Sequence, residues 1–284
     1  GTIAFITGIY ERLIRALSSL DAECLAAFRE HGVSGVWRHV DGTFLLVLFA
    51  GILTSVLSAA RLITYLLTEH GIVLWSFFFG LILGSVIFII KAMKSHSMPT
   101  MLGLFCGALA AYIITSLSPA EVALNPVTLF FAGAIAICAM ILPGISGSFL
   151  LLIMGLYAAV LEAVKTLDVG VLVVFAAGCV TGLLSFTHFL KWLLRHYHDV
   201  TLAVLTGFML GSLNKVWPWK QTVEYRLNSH GESIPLVQRN VMPHQYEQIT
   251  GDSSAIVWAV VAFVLGVALV LLLEWLQRRR VDVA

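Results

Sequence analysis

Charged side chains are scarce in this chain: only 12% of its 284 residues are Asp, Glu, Lys or Arg, whereas 59% are hydrophobic. The mean hydropathy is +0.94, and no soluble core needs that much apolar surface. The composition therefore predicts a polytopic membrane protein. The net charge is only +1 and no long basic stretch is present, so we expect no nucleic-acid partner.

Cysteine is scarce too. Cys24, Cys106, Cys138 and Cys179 are scattered, mostly within apolar stretches, and no C-x-x-C pair or Cys/His spacing matches a metal or redox site. We therefore interpret them as small buried side chains and expect no metal and no cofactor. The chain starts at Gly1 without an initiating Met or a signal peptide, so we expect it to begin inside its first element.

Charge is absent altogether from about residue 127 to 161, a stretch interrupted by the sequence LPGISGS around Pro143 and Gly144. One membrane span needs only about 20 residues. Because proline and glycine break a helix, we expect two helical arms, at 127–142 and 148–164, that form a hairpin. The alternative is an ordinary turn between two full spans at the membrane surface.

The tip of this hairpin is a candidate anion site. Irregular backbone at membrane depth is tolerated only where protein buries it or where it lines a wet cavity. The second arm starts at Ser146, Gly147 and Ser148, whose free N–H groups and hydroxyls suit a phosphate. Hairpin geometry alone would also explain these residues.

Further apolar stretches predict membrane spans at about 43–67, 72–90, 100–117, 170–194, 200–216 and 255–276. Part of this pattern is repeated. Residues 51–85 align without gaps on 178–212, 127 positions later, and both copies end in G-x-x-L-G-S. A Gly-Ile-Tyr at 8–10 matches a Gly-Leu-Tyr at 155–157, 147 positions later. Such matches predict an internal repeat.

The repeat divides the chain into two halves. The first, 1–117, holds one hairpin arm, a polar amphipathic segment and three spans, and the second, 127–216, is completed by the span 255–276. In the alignment Gly1 lies opposite Ser148. The tip of the first hairpin is therefore expected upstream of residue 1.

Loop charges predict the orientation. Arg278-Arg279-Arg280 at the C-terminus indicate a cytoplasmic end, which places the 11–42 segment inside and the 217–254 loop outside. Three full spans then separate the hairpins, so the hairpins enter from opposite faces. We therefore predict an all-α polytopic membrane protein with an inverted-topology repeat and two re-entrant broken-helix hairpins, an architecture typical of secondary transporters.

A few charged residues lie within or beside the spans. Arg61 lies inside the first full span, where a charge costs at least ~2.5 kcal/mol unless it faces a cavity or a partner. The alternative is that its side chain snorkels to the surface. Its repeat counterpart is His188, which can titrate near neutral pH. We expect Arg61 and His188 to flank the tips and bind the phosphate, together with Gly1 and Thr2 of the first arm.

Three other residues are secondary candidates for ion coupling or for the mouth of the pathway. Lys191 follows His188 by one turn, Glu11 follows the first arm and Glu162 lies near the end of the second. Ordinary surface charges at helix ends would explain these residues equally well. No catalytic residue is predicted.

The motif PGISGSFLLLIMGLY at 143–157, the N-terminal GTIAFITGIYERLI and the GLILGS/GFMLGS pair resemble the bacterial DUF368 family. In that family the first hairpin carries PGVSGG, of which Gly1 corresponds to the last glycine. The resemblance implies a transporter rather than an enzyme. It would return undecaprenyl phosphate or a related polyprenyl phosphate to the cytoplasmic leaflet of the bacterial cytoplasmic membrane, with this lipid as its partner.

Two other functions use the same features. An ion-coupled transporter of a small soluble anion would share the inverted hairpins. A membrane lipid-phosphate phosphatase would need a nucleophile with a nearby acid or base, for which His196-x-His198-Asp199 is the local candidate. A homo-oligomer is compatible with each of these functions.

Overall fold

The computed structural model describes residues 4, 7–20, 22–93, 95, 97–117, 122–227 and 233–282. These form an all-α membrane protein with one small β-hairpin. The elements are α1 (Tyr10–Ser18), α2 (Ala22–His39), α3 (Gly42–Glu69), α4 (Gly71–Ala92), α5 (Met98–Ser116), α6 (Pro126–Ile141), α7 (Gly147–Ile153), α8 (Tyr157–Thr166), α9 (Val169–His196), α10 (His198–Val216), β1 (Lys220–Leu227), β2 (Ser233–Asn240), α11 (Pro243–Thr250) and α12 (Ile256–Asp282).

The protein is multi-pass. Among the described helices, α4, α5, α9 and α12 are long and apolar enough to cross a membrane, and the number of spans rises to six if each of two bent pairs counts as one. The bent pairs are α2–α3, with an angle of 48°, and α7–α8, with an angle of 111°. The expected class, a polytopic helical membrane protein with broken helices, is confirmed.

The second arm of the hairpin is not one helix, and the prediction of a continuous arm at 148–164 is wrong. Gly155 adopts φ +70° and ends α7. The next residue, Leu156, donates its N–H to the carbonyl oxygen of Leu151 at 2.9 Å, the long bond of a Schellman cap. Both leucines are buried in one apolar cluster, so the cap is also packed. The chain therefore turns sharply before α8.

Residues matched by the sequence repeat have matching local geometry. Gly8 adopts φ +68°, and Ile9 donates its N–H to the carbonyl oxygen of Ala4 at 3.0 Å, as Leu156 does after Gly155. Ser85 and Ser212 are both fully buried, and each hydroxyl donates to a carbonyl of its own helix. The division into two repeats itself stays a prediction.

Glycines bring pairs of helices into backbone contact. α10 packs on α5, where a Cβ added at Gly207 would overlap the carbonyl oxygen of Leu104. α12 packs on α4, where a Cβ added at Gly80 would overlap the carbonyl oxygen of Phe263. Small residues allow such close approach in membranes, where apolar burial gives little drive for helices to associate.

α10 lies at the centre of the bundle, between α4, α5 and α9. It carries polar residues at both ends and is not among the four helices that are long and apolar enough to span a membrane by themselves, in keeping with its burial in protein. By contrast, α3 is exposed along most of its length. Gly51 on α3 has no atom within 4 Å of an added Cβ, whereas its repeat counterpart Gly178 packs against the carbonyl of Phe130 on α6.

The segment between α10 and α12 is folded. β1 and β2 pair antiparallel, and α11 follows them. The indole N–H of Trp217 donates to the carbonyl of Val241, and that of Trp219 donates to the carbonyl of Ser254, both at 2.9 Å. We call the end of the bundle that carries this segment the loop end. The opposite end, where α1 and the α9–α10 turn lie, is the α1 end.

Replacing Gly207 by Ala should destabilise the protein, because the new methyl group would meet the backbone of α5. Overpacking of this kind costs about 1–3 kcal/mol. Gly51→Ala is the matched control, since the space beside Gly51 is open. The thermal midpoint of purified protein in detergent should fall for Gly207→Ala and should stay level or rise for Gly51→Ala. Equal midpoints would contradict the packing.

Candidate functional site

The turn between α6 and α7 is embedded in protein. Pro143 is fully buried. Gly144 has φ +90°, and a Cβ added there would lie 2.6 Å from Ser212 Oγ and 3.0 Å from Met209 Cα, both on α10. A Cβ at Gly147 would overlap the carbonyl of Ala136 on α6. The two glycines therefore let the turn pack against α10 and α6.

α1 contacts the end of α6 beside this turn. The hydroxyl of Tyr10 on α1 donates to the carbonyl of Ile141, the last residue of α6, at 3.2 Å. Helix ends leave such carbonyls without an intrahelical partner, so the tyrosine satisfies one of them. Tyr10 and Ile14 are buried with Leu190 of α9 and Leu205 of α10. α1 and the second hairpin thus form one packed unit.

The serines predicted to bind phosphate do lie together. Ser146 and Ser148 are both exposed, and their hydroxyl oxygens are 2.8 Å apart. Gly147 between them is buried. The pair therefore presents hydroxyls at an accessible position on the hairpin.

The charged partners predicted for the tip are not joined to it. Arg61 is exposed on α3, and His188 is exposed on α9, where its Nδ1 lies 2.7 Å from the carbonyl oxygen of Leu184. Within the described part of the chain, no hydrogen bond or ion pair links either side chain to Ser146 or Ser148. Their role in binding stays a prediction. Gly1 and Thr2 lie outside the described residues.

Lys191 belongs to a basic cluster at the α1 end. It lines a pocket of about 410 Å³ together with Arg12, Arg15 and Asp41. Arg12 binds both carboxylate oxygens of Asp41, at 2.6 and 3.1 Å. These hydrogen bonds hold the pKa of Asp41 below its ordinary value. The two arginines come from α1, so α1 supplies most of this positive charge.

The other secondary candidates lie apart. A carboxylate oxygen of Glu11, at the α1 end, lies 3.0 Å from His198 Nε2, and a carboxylate oxygen of Asp199 lies 3.2 Å from His198 Nδ1. Glu162 is exposed on α8. Both ring nitrogens of His198 are therefore engaged by carboxylates. Among the described residues, no group of three or more His, Cys, Asp or Glu side chains is placed to hold a metal ion.

Comparison with known proteins decides the family. Residues 1–234 match the model of a family described as undecaprenyl phosphate translocase-like. A Vibrio cholerae protein named polyprenyl-phosphate transporter is 51% identical over 274 residues, which cover 96% of this chain and 89% of the relative. The chain belongs to this family, which is the DUF368 family of the sequence resemblance.

A more distant member supports the assignment. A Staphylococcus aureus protein, also named polyprenyl-phosphate transporter, is 32% identical over 194 residues, which cover 62% of this chain and 69% of the relative. No solved structure matches the chain. Both family members are named as transporters, in agreement with the predicted class of function.

The structure also shows a feature that the sequence reasoning missed. At the loop end, a cavity of about 490 Å³ lies between α5, α7, α10 and the β-hairpin. Three of its lining residues are basic: Lys215, Lys220 and Arg239. We call it the loop-end cavity. A signal was present. Lys215 lies just before the 217–254 segment that is predicted to lie outside, and Lys220 lies within it, where the positive-inside rule expects few basic residues.

Replacing Gly144 by Ala should destabilise the hairpin turn more than a positive φ alone explains. The left-handed backbone costs a non-glycine residue about 1–2 kcal/mol. The clash with Ser212 and Met209 adds an overpacking cost of about 1–3 kcal/mol. Gly251→Ala isolates the first cost, since Gly251 has φ +76° and no atom within 4 Å of an added Cβ. Thermal unfolding in detergent should show the larger loss for Gly144→Ala; a larger loss for Gly251→Ala would refute the packed turn.

Proposed function

We propose that the protein is a flippase for undecaprenyl phosphate or a related polyprenyl phosphate in the bacterial cytoplasmic membrane. It would return the carrier lipid of peptidoglycan synthesis to the cytoplasmic leaflet. The observation that carries this proposal is the 51% identity, over 96% of the chain, to a Vibrio cholerae protein named polyprenyl-phosphate transporter. The multi-pass helical fold supports it.

In this proposal the chain consists of two inverted repeats, with the C-terminus in the cytoplasm and the loop end outside. The matching geometry at Gly8 and Gly155 supports the repeat. So does the reciprocal packing of the helices. α4 of the first half pairs with α12 of the second, and α10 of the second half pairs with α5 of the first. Each half thus packs helices against the other half. A movement of one half is therefore coupled to the other, as alternating access requires.

The headgroup would cross the membrane at the packed hairpin. A phosphate leaving water needs hydrogen-bond donors that replace its hydration, and the adjacent hydroxyls of Ser146 and Ser148 offer two. Arg61 and His188 would approach the phosphate as the halves rock, and a proton on His188 is a candidate for the coupling ion. The prenyl tail would stay in lipid throughout.

The basic cluster at the α1 end suits the cytoplasmic end of this route. Arg15 and Lys191 line the pocket beside the Arg12–Asp41 pair, and the single carboxylate does not balance the three cations. A phosphate arriving there would be held by charge-assisted hydrogen bonds. The cluster lies on α1 and α9, which also pack around the hairpin.

Purified protein in liposomes should move a labelled polyprenyl phosphate between leaflets, followed with a leaflet-specific quencher. Arg61→Ala and Ser146→Ala should each slow this flipping about tenfold, because a hydrogen bond to a charged group contributes about 1.5–3 kcal/mol. Ser34→Ala, at an exposed serine of α2, is the control and should flip at the wild-type rate.

Two results would count against the proposal. Folded wild-type protein that moves the lipid no faster than empty liposomes would refute the flippase function. Flipping that survives in both Arg61→Ala and Ser146→Ala would refute the route through the hairpin but would leave the function intact.

A further inference from the structure

The loop-end cavity has the size and rigidity of a binding site. Its volume of about 490 Å³ falls within the ~300–1,000 Å³ of small-molecule pockets. The β-hairpin that covers it is held by amide contacts. Asn240 Nδ2 donates to the carbonyl and side-chain oxygens of Asn214, each at 2.8 Å, and Asn214 Nδ2 donates to Ser116 Oγ at 3.2 Å. The β-hairpin, α10 and α5 are therefore joined into one wall.

The positively charged side chains that line the cavity favour an anionic ligand. Lys215, Lys220 and Arg239 line it, and none of its described lining residues is acidic. The two lysines lie close enough to repel one another, and their partial burial removes water that would screen their charges. Burial, and then the neighbouring Lys215, lower the pKa of Lys220 to about 8. A bound anion would reduce the repulsion between the two lysines and would favour the charged form of Lys220.

The two lysines are placed to donate into the cavity. Lys215 Nζ lies 4.7 Å from the ring centroid of Phe149 on α7, and no described residue accepts a hydrogen bond from it. Lys220 Nζ lies 4.4 Å from the ring centroid of Trp75 and donates to the carbonyl of Lys215 at 2.7 Å. The aromatic rings stabilise these cations electrostatically but do not neutralise their charge. Each ammonium has three donors, so N–H groups remain for a ligand.

The edge of the cavity suits an amphiphile better than a free anion. Tyr112 and Leu117, near the end of α5, line it and are 53% and 51% exposed. Leu152 and Ile153 of α7 form the facing apolar wall. An apolar tail attached to the anion could lie against these side chains and continue into lipid. The exposed apolar area would then be covered.

We propose that the loop-end cavity binds the phosphate monoester headgroup of a prenyl lipid through Lys215, Lys220 and Arg239, with the tail leaving between α5 and α7. The inference rests on the proposed function and makes this cavity the place where the lipid is captured from the outer leaflet. Phe149 belongs to both the cavity wall and the hairpin, so a headgroup bound here lies next to the first turn of the crossing route. Free inorganic phosphate shares the headgroup chemistry and is tested separately.

The test measures binding to the full chain in detergent, with farnesyl phosphate, farnesol and inorganic phosphate as probes. Intrinsic tryptophan fluorescence, to which Trp75 beside Lys220 contributes, serves as one readout and calorimetry as the other. Farnesyl phosphate should bind wild type more tightly than either other probe. Lys215→Gln/Lys220→Gln should weaken its binding about tenfold or more, because charge-assisted hydrogen bonds are lost. Lys165→Gln, at an exposed lysine of α8 outside the cavity, should bind as wild type.

Two further variants keep the result decisive. Arg239→Gln changes an exposed side chain and should also weaken binding, so the test does not depend on the folding of the double variant. Lys215→Arg/Lys220→Arg keeps both charges and should retain most of the affinity. Unchanged affinity in Arg239→Gln and in Lys215→Gln/Lys220→Gln would overturn the proposal, and so would inorganic phosphate binding as tightly as farnesyl phosphate.

Flipping measured on the same preparations separates the two proposals. If wild type flips polyprenyl phosphate and the cavity variants bind and flip equally well, the cavity assignment fails and the flippase function stands. If wild type does not flip the lipid, the function fails, and the binding measurements still decide whether the cavity takes a phosphate monoester.

Discussion

A polypeptide that turns inside a membrane must satisfy its backbone polar groups with protein, because the hydrocarbon offers no partner. In the proposed re-entrant hairpin, the turn between α6 and α7 meets this demand. Pro143 is fully buried, Gly144 fits against α10, and the hydroxyl of Tyr10 on α1 donates to the carbonyl of Ile141. The arrangement of α1, α9 and α10 around the hairpin follows from the need to cover this turn.

Covering the turn requires helices that approach closely, and glycine supplies that approach. α10 can lie at the centre because Gly207 lets it contact the backbone of α5, while Gly144 lets the turn reach α10. The same arrangement recurs where Gly80 brings α4 against α12. Because apolar side chains gain little by leaving lipid for protein, these backbone contacts carry much of the specificity. The central helix can then be more polar than its neighbours.

Positive charge is concentrated at the two ends of the bundle. The α1 end carries Arg12, Arg15 and Lys191 around one carboxylate, and the loop end carries a cavity with Lys215, Lys220 and Arg239. The hairpin lies between them, since α1 contacts its turn and α7 lines the cavity. For the proposed lipid, whose headgroup is anionic, each end of the bundle offers an attractive surface.

The sequence by itself determined the membrane class, the positions of most helices, the break at Pro143 and the family. Those properties depend on composition, apolar length and local backbone chemistry, which neighbouring residues along the chain decide. It also placed Ser146 beside Ser148. It did not predict the sharp turn at Gly155, because a glycine within an apolar stretch fits both a helix and a cap.

Only the tertiary structure decided which helices pair and which charged groups meet. α5 pairs with α10 and α4 with α12, across the two halves of the chain. Lys215 and Arg239 are brought to one cavity by the β-hairpin, and Arg12 is brought to Asp41 by the packing of α1. The physical reason is that such contacts join residues far apart in sequence, so they depend on how helices pack rather than on where each helix begins and ends.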